Sequence, residues 1–405
     1  MAAAPTPAPV FITAVRVVDG RGGVRDGAAL ALEDGRLRVG DAATLSAPAG
    51  ARRIDGTGMT ALPGLVDCHV HLCMGGEANP VPSLGAMSAG EMALRAAYHA
   101  AITLRAGVTT VRDCGAMHGV DAALKAALRA GWARGPRLVS SARALCMTGG
   151  HGHWFAREAD GPDDVRRAAR EQLKTGAEWV KLIATGGILT PGVLPGSPQL
   201  TAAELRAAVE EAHAAGRRAA AHAQGMQGIR NAVEAGVDSV EHGIHLDDDG
   251  AVLMRTRGTF LVPTLVAPWR ILEHGERGGI HPHAVQKTRD SWDTHRAAVR
   301  RARAAGVRIA MGTDAGTPFN RHGDNAVELE LMVRETGFTP MEALVAATSS
   351  AAALLGLDAE IGALADGLAA DVLVVRGNPL DDVSLLHRPD ALAHVFQSGV
   401  EVVRA

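Results

Sequence analysis

Cysteine, tyrosine and lysine are all scarce in this 405-residue chain, and long apolar runs are missing from it. Four cysteines fit a reduced cytoplasmic protein better than a disulfide framework. No apolar run approaches the length of a membrane span, and residues 1–10 lack the charged start and apolar core of a signal peptide. The formal net charge is −3, without a basic excess or a polybasic patch. We therefore expect a cytoplasmic protein with neither a nucleic-acid partner nor a membrane partner.

The scarcity of lysine is the most informative of these features. Only four of the 41 basic residues are lysines, and the other 37 are arginines. A chain that uses arginine almost everywhere has a reason, or an accident, behind each lysine that it keeps. The four are Lys125, Lys174, Lys181 and Lys287.

The two ends of the chain share one texture, and the middle has another. Residues 1–61 and 360–405 alternate short apolar runs with Gly and Asp turns, which is typical of small antiparallel sheets. Chain ends commonly lie close together, so we expect these two segments to form one small β-sandwich domain around the inserted middle.

Residues 62–359 repeat a pattern of helix, glycine and short apolar strand. In AAITLRAG-VTTVRDC and NAVEAG-VDSVEHG, for example, the glycine is the expected helix C-cap. Eight sequential β–α units predict an α/β fold, a closed (β/α)8 TIM barrel with functional side chains at the carboxyl ends of its strands. A doubly wound open sheet is the alternative, but no Gly-rich phosphate loop follows the first strand. The candidate strands are 62–71, 109–114, 137–143, 179–185, 218–223, 239–243, 259–265 and 308–314.

The first candidate strand ends in GLVDCHVHL, with His69 and His71 two residues apart. Residues two apart on a strand share a face, with α-carbons roughly 6.5–7 Å apart, so both imidazoles can converge on one ion. Cys68 and Cys73 flank the pair; a thiolate ligand is one interpretation, and small buried residues are the favoured one. His281-Pro-His283 repeats the pattern, but Pro cannot lie inside a parallel strand, so a lid or interface loop is expected there.

Metal-ligand residue types stand at five of the eight strand ends, where a barrel gathers its functional groups. Such a set, with open coordination positions, suits Zn²⁺ or a similar ion. Burying an ammonium is costly and favours the neutral amine, which can react with carbon dioxide to form a carbamate that bridges two metals. A surface lysine paired with Glu178 is the alternative for Lys181. The set is His69, His71, Lys181, His222, His242 and Asp314.

These motifs resemble the amidohydrolase superfamily, in the branch of imidazolonepropionase-like hydrolases and prolidase-type Xaa-Pro or Xaa-Arg dipeptidases. The matching segments are GLVDCHVHL, VKLIATGG, AHAQG, SVEHG, GTDAG and the closing IGALADGLAADVLVV. The resemblance implies two zinc ions: His69 and His71 hold one with Asp314, His222 and His242 hold the other, and carboxylated Lys181 bridges them. It also implies a homo-oligomer. Imidazolonepropionase uses one metal and no bridging lysine, so Lys181 argues against that activity.

The implied reaction is hydrolysis of an amide or peptide bond by a hydroxide held between two cations. Asp314 would orient the water, take its proton and deliver it to the leaving amine. We expect a dipeptide or an N-acyl amino acid as substrate, with the C-terminal amino acid released. The alternatives are a lactonase or deaminase with the same fold and metals, imidazolonepropionase-like ring hydrolysis, and a non-enzymatic scaffold.

Substrate-binding candidates lie in loops that follow the strands. The Gly-rich loop TGGHGHW offers imidazoles for a substrate carboxylate or the reacting carbonyl, and an arginine fork suits a carboxylate. Residues 185–197, TGGILTPGVLPGS, resemble a mobile rim loop. The candidates are His151, His153, Arg157 and His245, with His118 ranked lower.

The chain departs from several dipeptidases just after the fifth-strand histidine. Those relatives place tyrosines there to grip the substrate carboxylate, whereas this chain has Gln224-Gly225-Met226-Gln227, and its single tyrosine is Tyr98. The identity of the substrate therefore cannot be carried over from them.

Overall fold

The computed structural model describes residues 8–404 and confirms the predicted α/β class. Residues 1–7 and residue 405 lie outside the described range. The first seven are part of the segment 1–10, in which no signal peptide is expected. The strands are β1 (Val10–Val18), β2 (Val24–Glu33), β3 (Arg36–Asp41), β4 (Arg52–Asp55), β5 (Met59–Pro63), β6 (Leu65–Val70), β7 (Val108–Asp113), β8 (Arg137–Ser140), β9 (Leu145–Cys146), β10 (Arg157–Glu158), β11 (Trp179–Ile183), β12 (Arg218–Ala223), β13 (Ser239–His242), β14 (Phe260–Val262), β15 (Val372–Arg376), β16 (Leu392–Gln397) and β17 (Val400–Arg404).

Helices alternate with the central strands, as the repeated pattern predicts. They are α1 (Pro80–Ala86), α2 (Ala89–Arg105), α3 (Val120–Ala130), α4 (Pro162–Lys174), α5 (Ala202–Ala214), α6 (Met226–Ala235), α7 (Asp248–Arg257), α8 (Val266–His274), α9 (Pro282–Ala304), α10 (Val327–Thr336), α11 (Pro340–Ala346) and α12 (Ser349–Leu355).

The two ends of the chain form one eight-stranded sheet, here called the terminal sheet. Its order is β17-β16-β15-β5-β1-β2-β3, with β4 paired to β1. The antiparallel pairing of β5 with β15 joins the two ends, with Leu62 opposite Leu373. The side chains of Ile12, Leu30 and Phe396 are completely buried in its apolar interior. The terminal sheet is therefore one unit built from both ends of the sequence.

The predicted first barrel strand, 62–71, is split between the two units. Met59–Pro63 belongs to the terminal sheet, and the barrel strand begins at Leu65. Gly64 is the junction, and its amide donates to the carbonyl of Asp371 in the terminal sheet. One uninterrupted apolar run thus serves two sheets, which its periodicity alone could not show.

Hydrogen bonds run round the parallel strands in a ring, the arrangement expected of a (β/α)8 barrel. Sheets β6-β7-β8 and β9-β11-β12-β13-β14 meet where the Glu178 amide donates to the Ser140 carbonyl, at 2.9 Å. On the other side, residues 308–315 lie between β14 and β6. Residues 308–314 are the predicted eighth strand; the segment makes backbone hydrogen bonds to both neighbours, but its β-bridges, Leu261–Ile309 and Val70–Ala315, are isolated. It bends at Asp314, whose φ is +60°, so no regular strand continues.

The glycines that end the predicted helices have the conformation that a C-cap requires. Five of them have a φ between +66° and +98°, which side chains with a Cβ rarely adopt. They are Gly107, Gly176, Gly216, Gly236 and Gly306. Within the described range, none of the helices combines the length and the apolar composition needed to cross a bilayer.

Replacing Gly64 with alanine should destabilise the junction between the two units. A Cβ there would lie 2.5 Å from Thr109 Cγ2, and Thr109 is buried and β-branched, so it has little freedom to move. We expect the free energy of unfolding to fall by about 1–3 kcal/mol in urea titrations. Gly85→Ala is the matched control, because that helical position has open space and should be neutral or slightly stabilising. Equal losses in the two variants would contradict the overlap.

Candidate active site

Six side chains from strand ends line one cavity at the mouth of the barrel. The Asp314 carboxylate lies between the first two histidines, with Oδ1 3.4 Å from His69 Nε2 and 3.2 Å from His71 Nε2. His242 lies beside His69 and His222, at ring-centroid distances of 5.2 Å and 4.6 Å. The structure therefore brings together the whole set that the sequence placed at strand ends: His69, His71, Lys181, His222, His242 and Asp314.

A buried carboxylate joins the first and last of these strand ends. Asp67 Oδ1 accepts the amides of His69 and Thr313 at 3.0 and 3.1 Å. Its Oδ2 accepts the Thr313 hydroxyl at 2.6 Å and the Asn325 amide at 2.7 Å. These bonds fix the position of His69 relative to that of Asp314. The structural role of Asp67 was not predicted from the sequence, although a charged residue inside an apolar strand indicates a buried side chain that bonds to its neighbours.

Each of the four histidines has one ring nitrogen held by the protein. His69 Nδ1 bonds Glu241 at 2.9 Å, and His71 Nδ1 bonds the Gly115 carbonyl at 3.3 Å. His242 Nδ1 bonds the Thr264 hydroxyl at 2.7 Å, and His222 Nε2 bonds the Gly186 carbonyl at 3.0 Å.

Each of these partners can accept a hydrogen bond from the ring nitrogen that it contacts. The Thr264 hydroxyl accepts because its own hydrogen goes to the Pro263 carbonyl. In His69, His222 and His242 the bonded nitrogen therefore carries the proton and the other nitrogen keeps a lone pair, which is the state that ligates metals. In His71 the second nitrogen, Nε2, faces the Asp314 carboxylate at 3.2 Å.

Burial keeps most of these imidazoles neutral. It lowers the pKa of His69, His222 and His242 well below the usual histidine range, and neighbouring positive groups add to the effect. At His71 burial acts the same way, but the hydrogen bond and the charge of Asp314 outweigh it and raise the pKa. Three of the four rings are thus ready to act as ligands at neutral pH without losing a proton.

Lys181 has an environment that an ammonium does not tolerate. The residue is 2% exposed, and no described residue accepts a hydrogen bond from Nζ. An isolated buried ammonium costs several kcal/mol. The donor set around it consists of four imidazoles and one carboxylate, which fits a divalent metal site with a bridging anion at the lysine. The residues present therefore fit the metal-dependent site that the sequence predicts.

A second acidic cluster, Glu241 with Cys114 beside His69, lies beneath the site and does not suit a metal. Glu241 is completely buried and paired with buried Arg112, at 2.8 Å. Burial raises the pKa of the Cys114 thiol to about 12, so it stays protonated. The cluster instead orients His69. Cys68 and Cys73 are also buried, and burial raises the pKa of both thiols, in line with their favoured interpretation.

His151 is the one predicted substrate residue that lines the cavity. Its Nδ1 lies 2.8 Å from the Thr190 hydroxyl, and Thr190 Oγ1 also accepts the Gly152 amide. The hydroxyl hydrogen is then free for His151 Nδ1, which leaves the ring proton on Nε2. Burial, followed by the charge of Lys287, lowers the pKa of His151 to about 3. His151 is thus a neutral N–H donor at the cavity.

The other predicted substrate residues do not reach the cavity. Arg157 binds Asp164 at 3.0 Å and Glu171 at 3.1 Å, both on α4, and these two carboxylates already satisfy it. His153 is exposed and lines a neighbouring surface groove instead, and His245 and His118 are absent from the cavity lining. For residues in loops, closeness in sequence to a strand end did not predict whether the side chain lines the cavity.

The rim loop, residues 185–197, closes one side of the cavity and is held by α9. Lys287 Nζ donates to the carbonyls of Gly187, Ile188 and Thr190 at 3.1, 3.4 and 2.7 Å. One turn earlier, His283 Nε2 bonds the Leu189 carbonyl at 3.2 Å. This pair on α9, here called the α9 clasp, was not foreseen. The motif around His283 was expected to be a lid or interface loop, but Pro282 instead begins α9.

The profile of the Amidohydrolase family matches residues 60–402. The chain belongs to the amidohydrolase family. The predicted resemblance is confirmed, and the protein is a hydrolase that acts on C–N bonds, in a family that is generally metal-dependent and acts on small molecules.

Relatives of this amidohydrolase span nearly its whole length. Ochratoxinase of Aspergillus niger is 33% identical over 368 residues, covering 84% of this chain and 74% of the relative. The crystal structure of A. niger ochratoxinase superimposes with a TM-score of 0.88 at 30% identity, covering 99% and 96% of the two chains. A Xaa-Pro dipeptidase with bound methionine in its active site gives 0.88 at 31% identity, covering 97% and 99%. Imidazolonepropionase of Salinispora arenicola is 27% identical, covering 97% and 94%.

Removing Glu241 should leave a buried charge without a partner in this amidohydrolase. We expect Glu241→Leu to lower the free energy of unfolding by about 3–5 kcal/mol, because Arg112 remains buried and uncompensated. The double variant Glu241→Leu with Arg112→Met should recover most of that loss. Urea unfolding at one fixed zinc concentration measures both. A double variant that is no more stable than the single one would contradict the pairing.

Removing the Lys287 ammonium should loosen the rim loop. Lys287→Met keeps the aliphatic stem and removes the donor to three carbonyls. Hydrogen exchange of peptides spanning 186–197 should accelerate roughly tenfold, since bonds from a charged donor contribute about 1.5–3 kcal/mol. Lys174→Met, at the exposed end of α4, is the matched control. Unchanged exchange in the Lys287 variant would show that the loop is held by other contacts.

Proposed function

We propose that the protein is a binuclear amidohydrolase, with two divalent ions, zinc by the chemistry of the donors, held by the six residues of the cavity. His69 and His71 would hold one ion with Asp314, and His222 and His242 the other. The observation that carries this proposal is the set of four imidazoles around one cavity, each with one nitrogen bonded to the protein and the other directed to the shared site that also holds the Asp314 carboxylate.

The bridge between the ions would be Lys181 in its carboxylated form. A neutral amine adds carbon dioxide to give a carbamate and a proton, which turns a cation into an anion with two oxygens. The buried, unpartnered Nζ supports this change, because the ammonium has no compensating group there. Arginine could not form this bridge, which gives a reason for a lysine in a chain of 37 arginines.

The proposed reaction is hydrolysis of an amide or peptide bond. Metal ions bound at the site would activate a water for attack at neutral pH and polarise the scissile carbonyl. Asp314 lies within 3.4 Å of both first-strand histidines, where its carboxylate can take the proton of the attacking water and pass it to the leaving nitrogen. His151, a neutral donor, can bond the carbonyl oxygen as negative charge develops on it.

The substrate would be a small molecule with an amide bond, with a dipeptide or an N-acyl amino acid as the form expected from the sequence. Relatives named for Xaa-Pro dipeptidase activity support the bond type. A lactonase or a deaminase would use the same metals, and imidazolonepropionase-like ring hydrolysis is disfavoured by Lys181. Assays of amides against lactones and aminopurines separate these reactions.

The domain division and the assembly are proposals as well. We place a β-sandwich in residues 1–61 and 360–405, supported by the apolar interior of the terminal sheet, and the catalytic barrel in residues 62–359. A homo-oligomer is supported by exposed apolar side chains: Leu94 and Tyr98 are one turn apart on α2, and Trp132 is 81% exposed.

Replacing Lys181 with alanine should remove both the bridge and the activity. Protein purified without chelators should contain about two divalent ions per wild-type chain and clearly fewer in Lys181→Ala, with amide hydrolysis lost. Wild type supplied with ¹³C-bicarbonate should show a carbamate signal that the variant lacks. Lys174→Ala is the matched control, because that lysine is exposed. Full metal content and normal turnover in Lys181→Ala would refute the proposed bridge.

A further inference from the structure

The part of the cavity beyond the metal-ligand residues is apolar. It is formed by side chains of the rim loop, of α8 and of the loops after β6 and β13. Such walls bind apolar groups by removing them from water, at roughly 25 cal/mol per Å². Met74, Trp154, Phe155, Ile188, Leu189 and Ile271 are among these apolar side chains.

The polar side chains among these walls are neutral hydrogen-bonding groups. His295 lines the cavity with its Nε2 bonded to the His242 carbonyl, and Thr264 and Thr317 hold their hydroxyls against carbonyls of their own loops. Gln224 adds a side-chain amide. The walls can therefore satisfy an amide or a hydroxyl of a substrate, but they carry no countercharge for an anion.

Positive side chains are missing from the cavity lining formed by the described residues 8–404, apart from Lys181, which the proposed function already uses. Arg157 is bound to two carboxylates elsewhere. Lys287 lies behind the rim loop and donates to three of its carbonyls. A substrate carboxylate held against these walls, away from the proposed metal ions, would thus lose its water shell without gaining a cationic side chain as partner, which costs several kcal/mol.

Gln224 marks the end of the cavity next to β12. Its side chain is 4% exposed, and Oε1 has no hydrogen-bond partner among the described residues. The rim loop packs tightly against the next residue, Gly225. A Cβ at that position would lie 2.5 Å from the α-carbon of Gly196. This end of the cavity therefore offers a substrate one neutral amide, and the neighbouring position 225 has no space for a side chain.

We propose that the substrate is an amide whose groups next to the scissile bond are apolar and uncharged, with a neutral hydrogen-bonding group facing Gln224. This inference rests on the proposed amide hydrolysis but departs from the dipeptide or N-acyl amino acid expected from the sequence, both of which carry a free α-carboxylate: the substrate is recognised as a neutral amide or within an uncharged apolar molecule.

Two matched substrates test this inference with the metal-loaded full chain. N-phenylacetyl-leucine and N-phenylacetyl-leucinamide differ in one group beside the scissile bond, a carboxylate or a neutral carboxamide, and release of phenylacetate measures cleavage of the amide bond that both share. We expect kcat/KM to be about tenfold or more higher for the leucinamide, with most of the difference in KM. Gln224→Arg should reverse the preference, and Gln227→Arg, exposed three residues further on, should not.

A wild-type preference for the carboxylate would overturn the inference, and so would a Gln224→Arg variant that folds and keeps the wild-type preference. If Gln224→Arg does not fold, the wild-type pair decides alone. If neither compound is cleaved, the proposed amide hydrolysis fails, but calorimetric binding of the same two compounds still tests the inference. Tighter binding of the leucinamide supports it, and equal or tighter binding of the carboxylate overturns it.

Discussion

The site depends on one buried carboxylate that holds together two segments almost 250 residues apart in sequence. Asp67 accepts four hydrogen bonds, three of which come from the peptide groups of His69 and Thr313 and from the Thr313 hydroxyl. Burial outweighs these bonds and raises its pKa to about 6, so the carboxylate is still ionised at neutral pH. The segment at 308–315 forms backbone hydrogen bonds to β14 and β6 without being a regular strand, and Asp67 adds side-chain bonds that fix it against β6.

Once the strand ends are fixed, the tautomers of the four histidines follow from their neighbours. Gly115 and Gly186 contribute carbonyls, Thr264 contributes a hydroxyl, and Glu241 contributes a carboxylate. Thr264 itself has a φ of +53°, and His242 has a φ of +71°. Strained backbone of this kind persists where the surrounding structure fixes it, and it is common at functional sites. The metal-binding state of the rings is thus set before any ion arrives.

The sequence was sufficient for groups that lie on strands and insufficient for those on loops. His222 and Asp314 could be placed because strand ends of a parallel barrel share one rim, whatever the loops do. Arg157 follows no such rule, and its guanidinium turned to the acidic side chains of α4. The division of the predicted first strand at Gly64 could not be predicted from the sequence either, because the residues before and after Gly64 are apolar. Asp67 and Arg112 were readable in principle, as charged residues within strands that had to be buried.

The distinction between strand residues and loop residues also applies to function: the proposed reaction depends on strand ends, and the choice of substrate depends on loops. The residues proposed to cleave the bond lie at strand ends, whereas most of the apolar cavity wall comes from loops and from α8. The α9 clasp joins these layers: Lys287 holds the carbonyls around Thr190, and the Thr190 hydroxyl orients His151 above His222. A change in the rim loop therefore alters the apolar wall and the donor to the carbonyl oxygen together. For this reason membership of the family supports a hydrolase that acts on C–N bonds, whereas the substrate depends on the loops of each chain.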